Sequence, residues 1–238
     1  NGMWPAEGSV CPEVIPLFRR AGVRWIASDE DVLFLSLGRR DRDRDLYRPW
    51  RVSHGGEEIT FFFRDRVLSD LVGFTYSKMR AVDAANDMVH RVRGIAHAAG
   101  PRSVIPVILD GENPWEYYPD GGEGFLAQLY QGLASVNGLR TTSFSTHLAD
   151  RRDPIEALGG LHSGSWINAN YRIWIGHHED NAGWNLLKRA REDVRARLAG
   201  PGAGGGNAPL PAEAAAAALD NLYAAEGSDW FWWYGDDF

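Results

Sequence analysis

VIPVILDGENPWEYY, residues 104–118, is the stretch on which the interpretation of this sequence depends. Its first six residues are apolar and mostly β-branched, which predicts a short strand buried on both faces, as in a parallel sheet. The apolar run stops at Asp110, and a turn rich in Gly, Asn and Pro leads on to Trp115. In barrels of parallel strands, the chemistry lies at the C-terminal ends of the strands. An acid beside an aromatic ring at this place favours a sugar site over a loop selected for solubility.

Strands and helices alternate along the first half of the sequence. The patterns predict short strands at 23–27 and 59–63, followed by a long amphipathic helix over 76–99. Three of the predicted strands end in an acidic residue: Asp29, Asp65 and Asp110. Repeated βα units indicate a parallel sheet or barrel, so we expect these acids at one face.

The remaining segments are predicted from composition and periodicity. Helices are expected at 12–21, 124–136, 181–198 and 212–226, and a short extended piece is expected at 141–145. Alternating charge over 39–48, including the run Asp41–Asp45, predicts a solvated loop. The Gly- and Pro-rich segment 199–211 has the composition of a flexible linker.

Composition excludes several classes of function. The chain has 238 residues and a net charge of −7, which argues against nucleic acid as a partner because phosphate binding requires a basic face. Cys11 is the single cysteine, so an intramolecular disulfide is impossible and a cysteine-based metal site is not expected. No apolar run is long enough to cross a bilayer. The 10 Trp residues are numerous enough to suggest stacking platforms for sugar rings, with a Trp-rich core as the alternative.

Glu7 is the second acid that fits this chemistry. It lies in the Trp-, Pro- and Gly-containing segment WPAEGSV, and like Asp110 it follows a strand-like lead. Two carboxyl groups at neighbouring strand ends can reach across one sugar. Cleavage of a glycosidic bond needs one group to protonate the leaving oxygen and another to attack or stabilise the anomeric carbon.

Five motifs give the sequence a family resemblance: WPAEGSV (4–10), VRWIASDE (23–30), ILDGENPWEYYPDGGEGF (108–125), LHSGSWINANYRIWIGH (161–177) and GSDWFWWYGDD (227–237). Together they resemble glycoside hydrolase family 57. That family acts on α-glucans and includes α-amylases, amylopullulanases, 4-α-glucanotransferases and branching enzymes. The motifs are most similar to those of the amylase and amylopullulanase-like members.

The resemblance implies an α/β fold, an incomplete (β/α)7 barrel followed by helices, and a mechanism that retains anomeric configuration. By motif, Glu7 matches the family's nucleophile and Asp110 its general acid/base. The resemblance also implies an α-glucan or maltooligosaccharide substrate and no metal or other cofactor. The family's opening strand with a His-Gln-Pro motif is not found here. We therefore expect residues 1–150 to be the C-terminal half of the barrel and 151–238 a helical region whose aromatic end closes on it.

Six further residues are expected to bind the substrate: Trp4, Asp29, Trp115, His162, Trp166 and Trp230. The tryptophans are suited to stacking on glucose rings, and packing in the core is the alternative for each. Asp29 would bind sugar hydroxyls or else cap a helix. His162 would hydrogen-bond the substrate or a backbone carbonyl. For Arg64 and Asp65, a structural ion pair is the favoured interpretation.

Two alternatives to a hydrolase stay open on the sequence. A sugar hydroxyl in place of water would make the enzyme a 4-α-glucanotransferase or a branching enzyme. A non-catalytic carbohydrate-binding protein would use the same groove without cleavage. A metal-dependent polysaccharide deacetylase needs an Asp with paired His ligands, and the His residues lack that spacing.

Overall fold

A five-stranded sheet lies at the centre of the first part of the chain in the computed structural model, which describes residues 1–111, 114–199 and 210–235. The strands are β1 (Gly2–Met3), β2 (Trp25–Asp29), β3 (Trp50–His54), β4 (Glu57–Arg64) and β5 (Glu156–Ala157). Their order is β1-β2-β4-β3-β5. All pairings are parallel except the β3–β4 hairpin. The predicted parallel α/β arrangement is therefore present around β2 and β4.

Helices make up most of the remaining described structure. They are α1 (Ile15–Arg20), α2 (Glu30–Leu37), α3 (Arg66–Asp70), α4 (Ala81–Ala99), α5 (Glu123–Ala134), α6 (Phe144–Asp150), α7 (His178–Leu198) and α8 (Ala212–Ala225). Short 3-10 or π turns lie at Ala6–Gly8, Pro12–Val14, Arg42–Leu46, Leu71–Thr75, Tyr76–Lys78, Trp115–Tyr117 and Asp229–Trp233. The helices predicted from periodicity are confirmed, with ends that differ by a few residues.

The core is built on β4, whose sequence is apolar on both faces. Phe61 and Phe63 belong to the main hydrophobic cluster on one face of the sheet. Phe62 points to the other face and stacks on Phe144 of α6 with ring centroids 4.2 Å apart. A second cluster joins α4 to α5 and includes Met88 and Phe125. Burial on both faces explains the run of three phenylalanines.

The predicted strand at 104–109 is wrong, because this segment forms no strand in the structure. Its backbone hydrogen bonds go to scattered tertiary partners. The Val104 N–H donates to the Tyr47 carbonyl at 2.9 Å, and the Pro106 carbonyl accepts from the Asp65 N–H at 3.0 Å. The Ile108 N–H donates to a side-chain hydroxyl, Ser69 Oγ, at 3.1 Å. Pro106 also lacks the N–H that a ladder needs at that position.

The prediction of a solvated loop over 39–48 holds for only part of the stretch, because residues 39–41 and 43–44 are exposed whereas residues 45–47 are buried. Asp45 is fully buried, and both of its carboxylate oxygens accept hydrogen bonds from the Arg39 guanidinium at 2.9 Å. Leu46 and Tyr47 join the hydrophobic core. The buried Asp45 carboxylate is tolerated because it is paired with a guanidinium group and hydrogen-bonded. Of the expected extended piece at 141–145, residues 141–143 lie outside any helix and Ser143 has extended backbone angles, whereas 144–145 begin α6, which Ser143 caps by accepting from the Thr146 N–H.

Two compact units make up the chain, residues 1–170 and 171–238. Within the second unit, α7 packs against α8. Phe231, from the aromatic end of the chain, is buried and stacks on Trp184 of α7 with centroids 4.1 Å apart. The division at residue 150 and the closure of this end on the barrel remain predictions. None of the helices in the described ranges combines the length and apolar character needed to span a lipid bilayer.

Candidate active site

Glu7 lies in a strained turn immediately after β1. Its backbone adopts φ 58° and ψ 23°, a left-handed conformation that is unfavourable for a residue with a side chain. The next residue, Gly8, has φ 57°, and a Cβ there would lie 2.7 Å from the Trp4 ring. The buried Ser28 hydroxyl of β2 donates to the Gly8 carbonyl at 2.7 Å and holds the turn. The strain is therefore maintained by the surrounding structure, as is common at functional sites.

Trp166 binds Glu7 through both its backbone and its ring. The Trp166 N–H donates to the Glu7 carbonyl at 2.9 Å. The indole Nε1–H donates to the Glu7 carboxylate, Oε2, also at 2.9 Å. Trp4 packs edge-on to the same indole with ring centroids 6.2 Å apart. The structure thus brings together the proposed nucleophile and two of the predicted stacking tryptophans.

The loop that carries Trp166 is fastened to the same turn. Val10 and Gly164 exchange two backbone hydrogen bonds of 2.9 and 3.0 Å. A ring nitrogen of His162 lies 2.8 Å from the Ala169 carbonyl, which is the backbone contact considered for it from the sequence. Ala169 itself has φ 49°. These contacts fix the loop by which Trp166 reaches Glu7.

Asp29 is completely buried at the end of β2. Its Oδ1 accepts from the Asp31 N–H at 3.0 Å and so caps α2. The carboxylate also receives hydrogen bonds from Arg64 and Arg66. The helix-capping alternative for Asp29 is thereby observed. Its predicted contact with sugar hydroxyls remains a prediction.

The neighbouring acids at this edge of the sheet are also paired with cations. Glu30 is buried and bonded to Arg42 and to the Arg66 N–H. Burial raises the pKa of Glu30, although the hydrogen bond from Arg66 and the charge of Arg42 act in the opposite direction. Asp65 accepts from the Tyr47 hydroxyl at 2.8 Å and pairs with Arg42 at 2.8 Å. Asp29, which ends β2, and Asp65, which follows β4, lie at one edge in a network of ion pairs, as predicted for these two of the three acids.

Asp110 is exposed and lies at the end of the irregular segment 104–110. The segment is anchored two residues earlier, where the Ile108 carbonyl accepts from Arg64 Nε at 2.9 Å. Trp115 packs on the ring of Tyr118 at a centroid distance of 5.4 Å. Glu112, for which the sequence suggested a structural role, lies outside the described residues.

Trp230 belongs to the second unit, where its indole N–H donates to the Gly227 carbonyl at 2.7 Å and the residue is half exposed. Its substrate-binding role remains a prediction.

Arg64 has a central place in this site that the sequence did not indicate. Its guanidinium carbon lies 5.3 Å from the centroid of the Trp166 ring, within cation–π range. The same side chain binds Asp29 and the Ile108 carbonyl. The expected ion pair involves Asp29 and Asp70, while Asp65 is held by other groups. An Arg that ends the buried run FFFR was the available signal, because a buried cation needs several partners.

Comparison with known proteins identifies the family. The sequence profile described as "Glycosyl hydrolase family 57" matches residues 1–156. The chain belongs to glycosyl hydrolase family 57. This confirms the resemblance drawn from the motifs and places the chain in a family of enzymes.

Individual relatives are distant and much longer. An α-amylase of Pyrococcus abyssi and a 4-α-glucanotransferase of Thermococcus kodakarensis are each 27% identical over 153 residues. Those matches cover 62% of this chain and 21% of each relative, so the chain spans about a fifth of the length of these family 57 proteins.

Solved structures agree on the fold. The family 57 branching enzyme of Pyrococcus horikoshii superposes with a TM-score of 0.70 at 15% identity, over 92% of this chain and 46% of that one. The α-amylase AmyC of Thermotoga maritima gives a TM-score of 0.66 at 13% identity, over 97% and 54%. At these identities the similarity establishes the mixed α/β fold alone.

Proposed function

We propose that the chain carries the catalytic centre of a retaining α-glucan glycosidase that cleaves α-1,4 glucosidic bonds, with α-1,6 bonds as a second linkage to be tested. The single observation that supports this most is the geometry of Glu7. It is held in a strained turn after a parallel strand, and its carboxylate is oriented by the Trp166 indole. Family 57 membership over residues 1–156 supports the assignment because that range includes both Glu7 and Asp110.

The proposed reaction is a double displacement. The Glu7 carboxylate forms a bond to the anomeric carbon while the bond to the leaving oxygen breaks, and Asp110 gives its proton to that oxygen. Asp110 then takes a proton from water, whose oxygen attacks the anomeric carbon and breaks the ester to Glu7. The two inversions give net retention. This mechanism requires carboxyl groups about 5–5.5 Å apart across the scissile bond.

The fold proposed for this activity is the C-terminal half of an incomplete (β/α)7 barrel followed by helices. The parallel order β1-β2-β4 supports it, as does the appearance of charged groups at the C-terminal ends of β2 and β4.

Transfer of the glycosyl group to another sugar is the second candidate function. One curated relative is named as a 4-α-glucanotransferase and one structural neighbour as a branching enzyme. The chemistry differs only in the acceptor, because a sugar hydroxyl takes the place of water in the second step. A carbohydrate-binding role without cleavage is the third.

The decisive experiment is incubation with maltooligosaccharides and pullulan, followed by chromatography of the products. Shorter products alone indicate hydrolysis, and shorter and longer products together indicate transfer. NMR of the first products should show the α-anomer, as retention demands. The Glu7→Gln variant serves as the control for contaminating enzymes. If the wild-type chain binds these glucans and leaves them unchanged, the non-catalytic function replaces the proposed one.

A further inference from the structure

Each nitrogen of the Arg64 guanidinium group contacts a different partner. It is only 4% exposed. Its Nε donates to the Ile108 carbonyl at 2.9 Å, Nη1 lies 3.4 Å from Asp29 Oδ2, and Nη2 binds Asp70. A buried guanidinium group needs partners for its N–H groups, and one of these partners is the backbone carbonyl of Ile108. The planar fork therefore fixes one segment of chain in addition to balancing charge.

The flat face of the same group is covered by Trp166. The Arg64 guanidinium carbon lies 5.3 Å from the Trp166 ring centroid, while the indole N–H of that ring donates to the Glu7 carboxylate. One edge of Arg64 thus holds the segment that ends in Asp110, and its face supports the residue that orients Glu7. Glu7 and Asp110 are 103 residues apart in sequence, and this buried cation contacts the Asp110 segment and the ring that binds Glu7.

We propose that Arg64 is a positioning residue that holds Trp166 and the Ile108 carbonyl in one arrangement, so that the Glu7 carboxylate is presented correctly to the anomeric carbon. This inference rests on the proposed function. It assigns Arg64 no contact with the substrate, and its effect reaches the reaction through Trp166 and the Asp110 segment. Misplacement of a reacting group by about 1 Å can lower a rate by about 10²-fold.

The kinetic test compares Arg64→Met with Arg66→Met on a 4-nitrophenyl α-maltooligoside. Arg66 is the matched control because it pairs with the same Asp29 and with Asp31. Arg64→Met should lower kcat by about 10²-fold with little change in KM. Arg64→Lys should show most of the same decrease in kcat, because an ammonium group lacks the planar arrangement of N–H donors that a guanidinium group has. Full kcat in Arg64→Lys, or an equal loss in Arg66→Met, would overturn the proposal.

A double-mutant cycle tests the route through Trp166. If Arg64 acts in part on Glu7 through the indole, Arg64→Met combined with Trp166→Phe should lose less kcat than the product of the two single losses. Independent, multiplicative losses would mean that Arg64 does not act through Trp166. Urea unfolding of each variant identifies any that fails to fold, and in that case Arg64→Lys decides.

A measurement without substrate separates this inference from the proposed function. The indole N–H signal of Trp166, assigned by its loss in Trp166→Phe, should shift and exchange faster with solvent in Arg64→Met. It should shift in Glu7→Gln as well and stay in place in Arg66→Met. If the wild-type chain turns over no glucan, the proposed function fails and this signal still decides the role of Arg64. An unchanged signal in Arg64→Met overturns the positioning role even if turnover is observed.

Discussion

Glu7 and Asp110, the two proposed catalytic acids, lie in very different surroundings. Glu7 is half buried in a turn whose backbone is fixed by Trp166 and by the contact between Ser28 and Gly8. Asp110 is exposed at the end of the irregular segment 104–110, in which the Ile108 carbonyl accepts from Arg64 Nε. Glu7 is therefore half buried within a fixed turn, whereas Asp110 is exposed to solvent.

The difference matches the two tasks in a double displacement. A nucleophile must meet the anomeric carbon at one distance and angle, so rigid support lowers the entropy cost of the reaction. A general acid/base must give a proton to a departing sugar and later take one from water, so access to solvent is an advantage. The proposed roles can therefore be tested by substituting each residue in turn, because loss of the nucleophile and loss of the general acid should change the kinetics differently.

The largest expected effect comes from Glu7→Gln. The amide keeps the shape of the side chain but cannot form the glycosyl ester, so turnover of 4-nitrophenyl α-maltooligosides should fall by on the order of 10⁴-fold or more. Glu116→Gln, an exposed glutamate near the other acid, is the control and should keep wild-type rates. Comparable rates in Glu7→Gln and wild type would remove Glu7 from its proposed role.

Asp110→Asn should show a different pattern. Loss of the general acid should lower hydrolysis of maltooligosaccharides by about 10²–10⁴-fold, and the loss should be smaller with a nitrophenol leaving group that needs no proton. Azide should then restore turnover and give the glycosyl azide with the α-configuration of the substrate. A β-configured azide from this variant would exchange the roles of the two acids.

The rigidity of the Glu7 turn can be tested by Gly8→Ala. The new Cβ would meet the Trp4 ring at 2.7 Å in a backbone with φ 57°, so the free energy of unfolding should fall by about 1–3 kcal/mol. Gly138→Ala is the matched control, because it has φ 86° and nothing within 4 Å of the added Cβ. Urea titration measures both variants. If Gly8→Ala and Gly138→Ala lose the same free energy of unfolding, backbone strain alone accounts for the effect and the contact with Trp4 contributes nothing.

Local patterns in the sequence predicted the regular elements around the site. The apolar runs of β2 and β4 and the 3.6-residue period of α4 are local patterns, so the sequence alone predicts the elements that they form. The run at 104–109 carried the same signal but forms no strand. Its hydrogen-bonding groups are taken by Tyr47, Asp65 and Ser69, partners that the run itself does not reveal.

The sequence predicted the residues of the site more fully than the contacts between them. Glu7 and Trp166 were both identified as candidates from their motifs, but their hydrogen bond joins positions 159 residues apart. The central place of Arg64 was missed for the same reason, since each of its contacts comes from a different segment. The end of the charged stretch 39–48 was misjudged because Asp45 is buried and its carboxylate is neutralised by the partly exposed Arg39.

The smallest expected effect concerns the chain that follows Asp110. Tyr118 is buried and donates its hydroxyl proton to the Val72 carbonyl at 2.8 Å. Tyr118→Phe leaves that carbonyl without this donor and should cost about 1 kcal/mol of unfolding free energy at pH 7. Tyr117→Phe is the matched control, because Tyr117 is 72% exposed and should be neutral.

The dependence of this effect on pH gives the prediction a second test. Burial raises the pKa of Tyr118 to about 12, above the value of about 10 for a tyrosine in the unfolded chain. The neutral phenol therefore contributes stability that is fully present below pH 10 and is lost as the pH rises towards 12. The stability advantage of wild type over Tyr118→Phe should shrink across that window, while contributions from Tyr47 and Tyr76 cancel in the difference. An advantage that stays constant from pH 9 to 12 would mean that Tyr118 titrates normally and does not anchor the segment after Asp110.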